Sequence, residues 1–111
     1  MPRSKYGAVP TVVDNVRFAS QKEARRYSEL KLLQKIGEIS ALDLQPRYEL
    51  KVHSPYDMSG PFKICTYVGD FAYIEKGGKQ VVEDVKGVKT PVYRLKKRLM
   101  KAVFGIDVKE I

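Results

Sequence analysis

The chain has 111 residues, 43% of them hydrophobic, and 21 Lys and Arg against 13 Asp and Glu, a net charge of +8. That length suits one compact domain with a real core, and that hydrophobic content excludes global disorder. No apolar run nears the ~20 residues of a membrane span, and MPRSKYGAVP has no apolar segment of a secretory signal, so neither is expected.

A single cysteine, Cys65, excludes an internal disulfide; among Ile64, Thr66 and Tyr67 it reads as a small core residue. A cytoplasmic location fits. The positive field attracts polyanions, nucleic acid first among them. Its distribution is uneven: Arg94, Lys96, Lys97, Arg98 and Lys101 crowd one segment, while Asp70, Glu83 and Asp84 form an acidic patch. A basic chain that gathers acids near one point has the makings of a metal site.

In chain order, residues 1–17 read as a basic arm followed by a short strand or hairpin, TVVDNVRF, with Asp14-Asn15 at its turn. Residues 18–111 read as a single domain. Ser20 and Glu23 form a capping box, and Ala24, Tyr27, Leu30, Leu33 and Ile36 continue it as one apolar helical stripe. Gly37 stops that helix. Arg25, Arg26, Lys31 and Lys35 are assigned to its surface. Residues 42–52 alternate as a half-buried strand, with Pro46 marking an edge or a bulge.

HSPYDMSGP, 53–61, reads as a loop, and 62–75 and 79–86 as two strands of a hairpin around Lys76-Gly77-Gly78. Thr90 as N-cap with Pro91 at the first helical position starts a second helix. Val92, Leu95, Leu99, Ala102 and Val103 form its expected apolar side, Gly105 ends it, and IDVKEI returns as a short strand. The order αβββαβ predicts an α/β (α+β mixed) fold, with helices flanking a central mixed sheet.

Hairpin register decides whether the acids meet. A two-residue Gly77-Gly78 turn sets Phe71 opposite Asp84 and turns Asp70 away. A three-residue loop sets Glu75 opposite Lys79 and Asp70 opposite Asp84, with Lys86 on the same face. The longer loop is favoured because Gly78 tolerates its closing positive φ. Two facing carboxylates repel unless a cation lies between them. Hard oxygen donors suit Mg²⁺ or Mn²⁺ rather than Zn²⁺, and the Val85 carbonyl is a further candidate ligand. Such an ion favours phosphodiester hydrolysis, with Lys86 positioning water and stabilising the phosphate.

Asp70 followed by Asp84-Val85-Lys86 resembles the D…(D/E)-x-K signature of the PD-(D/E)XK nuclease superfamily, whose restriction-endonuclease-like core has the same αβββαβ order. Gly69 stands where the superfamily's name puts Pro. KYGA at 5–8, FASQKEARRYSEL at 18–30, LQPRYEL at 44–50 and EDVKGVKT at 83–90 look like a small phage-encoded nuclease family of that superfamily. The resemblance implies Mg²⁺-dependent (or Mn²⁺-dependent) cleavage of duplex or branched DNA, as by junction resolvases, in the host cytoplasm if phage-encoded. It implies no organic cofactor and no membrane partner. It also makes Glu23 a candidate fourth ligand, although the capping box explains that residue equally well.

Gln45 is a candidate polar neighbour of the site, or a solvent-facing strand residue. Lys89, Arg94, Lys97, Arg98 and Lys101 are expected to hold the phosphate backbone, as are Arg3 and Lys5 on the arm. The alternative for the basic helix is a solvated face. Glu83 reads as a supporting group near the site or as the partner of a base on the opposite face. His53 reads as solvated, and the strand and helix tyrosines as core. A homodimer suits cleavage of two strands. The competing functions are a catalytically silent nucleic-acid-binding protein and an interaction subunit of a phage DNA-processing complex.

Overall fold

The computed structural model describes residues 9–85 and 89–111. The first hairpin joins β1 (Thr11–Val13) to β2 (Val16–Phe18), with Val13 opposite Val16. Its turn residues Asp14 and Asn15 have φ of 51° and 62°, the left-handed pair that a tight hairpin needs and that Asp and Asn tolerate. The hairpin is no detached arm. Phe18 is buried against Tyr27, and the Tyr27 hydroxyl donates to Asp14 Oδ2 at 3.0 Å.

Helix α1 (Gln21–Lys35) starts where the sequence places it. Ser20 is extended, and its Oγ accepts the Glu23 N–H at 3.1 Å, a cap worth about 1 kcal/mol. Ala24, Tyr27 and Leu30 are buried and Leu33 packs beside them, but Ile36 is exposed as the C-cap. Gly37 turns the chain away at φ +85°.

The expected strand 42–52 is two strands, β3 (Ile39–Leu44) and β4 (Arg47–Ser54), and the expected strand 62–75 is also two, β5 (Asp57–Val68) and β6 (Phe71–Glu75). Both breaks fall at one bend. Gln45 takes φ +50° and donates its N–H to the Asp70 carbonyl, while the Gly69 N–H donates to the Pro46 carbonyl. Gly69 sits in a tight place: an added Cβ would lie 3.1 Å from Val82 Cγ1, and a proline there would lose the N–H that reaches Pro46. Beyond the bend, β4 and β5 form a long hairpin, so 53–61 is mostly strand rather than loop.

Strand β7 (Gln80–Asp84) pairs with β6 in the longer-loop register: Phe71 faces Glu83, Tyr73 faces Val81, and Gly78 closes the turn at φ +95°. After helix α2 (Pro91–Phe104), capped by Thr90 and ended by Gly105 at φ +70°, β8 (Lys109–Glu110) runs parallel to β7. The sheet order is β3-β6-β7-β8, mixed as expected.

Alternation along β6 and β7 divides two cores. Phe71, Tyr73 and Val81 pack with α1, and Ala72 and Val82 pack with Tyr93 and Met100 of α2, Leu50 and Tyr67. The buried side of α2 is therefore rotated from the expected stripe. Tyr93 and Met100 go in, Leu99 is half-buried, and Val92, Leu95, Ala102 and Val103 are exposed. Tyr93 tolerates burial because its hydroxyl donates to Glu110 at 2.9 Å. Among the described residues no helix is long and apolar enough to cross a membrane.

Candidate metal centre

The bend that splits the strands also builds the acidic site. Asp70 directly precedes β6 and Asp84 ends β7, and the Asp70 N–H donates to the Glu83 carbonyl at 3.0 Å. Glu23 and Asp84 are both close enough to Asp70 to act on its ionisation. Asp70 Oδ2 accepts the Val85 N–H at 2.6 Å. Asp84, 2% exposed, accepts the Tyr67 hydroxyl at 2.6 Å. Glu110 follows across the next strand, opposite Asp84.

Electrostatics mark Asp70 as the centre of this row. Desolvation, then the neighbouring Glu23 carboxyl, push its pKa up to about 6, with the Val85 N–H and the Asp84 side chain opposing. Burial and the Asp84 carboxylate hold the Tyr67 phenol protonated, so it acts as a donor throughout the physiological range. The donors are hard oxygens crowded against one another, which is the chemistry that Mg²⁺ or Mn²⁺ fits. Among the described residues, no three His, Cys, Asp or Glu groups are arranged as they stand to hold a metal ion. The Glu23 Oε2 accepts the Ser20 hydroxyl at 3.3 Å.

A cavity of about 240 Å³ opens beside Asp84 between β5 and α2, bounded by Tyr67, Val68, Thr90, Val92, Tyr93 and Lys96. The larger cavity, about 630 Å³, lies at the opposite end of the β6–β7 hairpin, around Glu75, Lys79 and Phe104, away from the acids. The chemistry of the acids, not cavity size, locates the site.

The family described as "Protein of unknown function (DUF1064)" matches residues 3–110. The chain belongs to that family. No curated protein and no solved structure matches it.

The other expected site residues divide. Lys86, Arg3 and Lys5 lie outside the described residues. Val85 contributes its N–H to Asp70, while its side chain packs toward the α1 core. Gln45 is not on a strand; it is exposed at the bend and touches the site through its backbone. Lys89 and Lys97 contact Glu110 at 3.1 and 3.4 Å, and Lys101 contacts Asp107 at 2.9 Å. These exposed pairs are weak enough for phosphate to displace. Arg94 and Arg98 are exposed on α2.

Sequence reasoning placed Arg26 on the helix surface, and the structure turns it inward. Its Nε and Nη2 donate to both oxygens of Glu83 at 2.8 and 2.6 Å, and the Tyr73 hydroxyl donates to the same carboxylate. Glu83 is 0% exposed. Its hydrogen bond raises the Arg26 pKa further still. Of the two readings of Glu83, the pair across the opposite face is the observed one. The signal available in the sequence was helical spacing: Arg26 lies one turn after Glu23, beside the buried Tyr27 and Leu30.

Proposed function

We propose that the protein is a divalent-metal-dependent DNA endonuclease of the PD-(D/E)XK type. The observation that supports this most is a desolvated Asp70 carboxyl that Glu23 helps to push up to about 6, close to the buried Asp84. A carboxyl that resists ionisation, as Asp70 does, is favoured in its charged form by a nearby cation. Asp70, Asp84, the Val85 carbonyl and Glu23 would hold that cation. Bound Mg²⁺ or Mn²⁺ supplies a Lewis acid that offsets charge on the attacked phosphodiester.

The chain's own residues do the rest. The Val85 N–H fixes one oxygen of Asp70, and Tyr67 fixes one oxygen of Asp84, so both acids are oriented before a substrate arrives. Lys86, by its place in the D…D-x-K motif, positions the attacking water and stabilises the phosphorane charge. Lys89, Lys97 and Arg94 at the start of α2 receive the flanking phosphates, which predicts a steep loss of binding with salt.

The test is incubation of purified protein with linear, branched and single-stranded DNA, with and without Mg²⁺ or Mn²⁺. Asp70→Asn and Asp84→Asn are expected to lose at least ~10²-fold in cleavage while keeping DNA binding. A wild type that binds DNA but cuts none of these substrates with either ion favours the second reading, a catalytically silent nucleic-acid-binding protein. The absence of a ready three-ligand group among the described residues is the observation on that side.

A further inference from the structure

Glu83 is where the two halves of the site are tied together. Its carbonyl accepts the Asp70 N–H at 3.0 Å, its side chain takes both donors of Arg26, and the next residue is Asp84. Arg26 follows Glu23 by three residues, so the same turn of α1 presents Glu23 to Asp70 and Arg26 to Glu83. A bidentate guanidinium–carboxylate pair fixes distance and angle together, unlike an apolar contact, which tolerates sliding. The Tyr73 hydroxyl, from the neighbouring strand, holds the carboxylate from a second direction. The helix end and both acid-bearing strands therefore meet on one fully buried group.

We propose that Arg26, Glu83 and Tyr73 form a positioning clamp that sets the approach of Glu23 to Asp70 and Asp84, and so sets the affinity of the carboxylate site for a divalent cation. The inference rests on the metal-site reading above. It gives Glu83 a role on the face opposite the chemistry: its side chain never meets the cation, yet it fixes how far the helix-borne ligand reaches. Groups that orient metal ligands characteristically change affinity by ~10- to 100-fold when removed.

A buried ion pair exchanged for apolar residues of similar volume often keeps or gains stability. That separates holding the fold from setting the site. The double variant Arg26→Met with Glu83→Leu is compared with wild type for thermal unfolding and for Mn²⁺ binding by calorimetry. The expected result is an unfolding midpoint near that of wild type and Mn²⁺ affinity at least ~10-fold weaker. Full recovery of both overturns the clamp and leaves the pair a structural feature only. Should the double variant fail to fold, Glu83→Gln keeps hydrogen bonding and most of the packing. It is expected to stay folded with weakened Mn²⁺ binding, and unchanged binding overturns the proposal. A folded wild type that binds no Mn²⁺ overturns the metal site itself and the clamp's role with it, an outcome distinct from failure of the clamp alone.

Discussion

Glu83 and Asp84 are adjacent, both are buried, and they live in opposite electrostatic worlds. Glu83 faces α1, where Arg26 meets both of its oxygens and Tyr73 adds a hydroxyl. Asp84 faces α2, where a tyrosine hydroxyl and the Asp70 carboxyl are among its neighbours. Strand alternation puts one acid on each side of the sheet, and the two sides assign them different tasks. An acid buried with its own guanidinium joins a helix to a sheet. Acids set close to other acids form the site that we propose a cation completes.

The comparison breaks most visibly if the Glu83 side is disturbed. Arg26→Ala leaves a carboxylate sealed in the α1 face without its guanidinium, and a loss of about 3–5 kcal/mol in unfolding free energy is expected by urea denaturation. A loss of only a few tenths would mean that water reaches Glu83 and that the pair is not a buried one.

The Asp70 side should respond in the opposite sense. Its folded pKa of about 6 lies above the ordinary 3.8, so the folded state holds a proton that the unfolded chain releases. In metal-free protein, stability therefore falls as pH rises through this interval, and the full cost applies above it. Asp70→Asn removes that cost. The variant is expected to gain roughly 1–2 kcal/mol at about pH 8, allowing for solvent screening, and almost nothing at about pH 3. Denaturation at both pH values checks this, and a variant less stable at the higher pH would contradict it.

The smallest effect sharpens the boundary between the acids and the basic helix. Glu110 contacts Lys89 and Lys97 and accepts the Tyr93 hydroxyl, and those contacts hold its carboxyl below the usual range. Glu110→Gln releases two ammonium groups toward phosphate. DNA binding at low salt should tighten by about two- to fivefold, read by fluorescence anisotropy. Weaker binding would show that Glu110 positions the lysines rather than competing with DNA for them.

Local chemistry made much of this legible in the sequence. Ser20, Thr90 with Pro91, Gly37 and Gly105 mark both helices because caps and left-handed residues act within one turn. Asp14-Asn15 marks the first hairpin for the same reason. Gly78 favoured the three-residue loop, and the observed pairing of Phe71 with Glu83 has that register.

The bend at Gln45 and Gly69 was not legible. Apolar alternation runs on through Leu42, Leu44, Pro46, Tyr48 and Leu50, and a break depends on a left-handed Gln45 that a tertiary hydrogen bond to Asp70 holds. The rotation of α2 escaped for a similar reason. Tyr93 counts as amphipathic until Glu110 is seen to receive its hydroxyl. Arg26 escaped because a charge at helical spacing reads as solvated until a buried carboxylate is found opposite it.

The most direct test of the account is a calorimetric titration of metal-free protein with Mn²⁺, run on wild type, Asp70→Asn and Asp84→Asn. Saturable binding by wild type that either substitution abolishes or sharply weakens is the predicted result. Saturable binding that survives both substitutions, or a folded wild type that takes up no Mn²⁺, would contradict the claim that these facing acids are a metal centre.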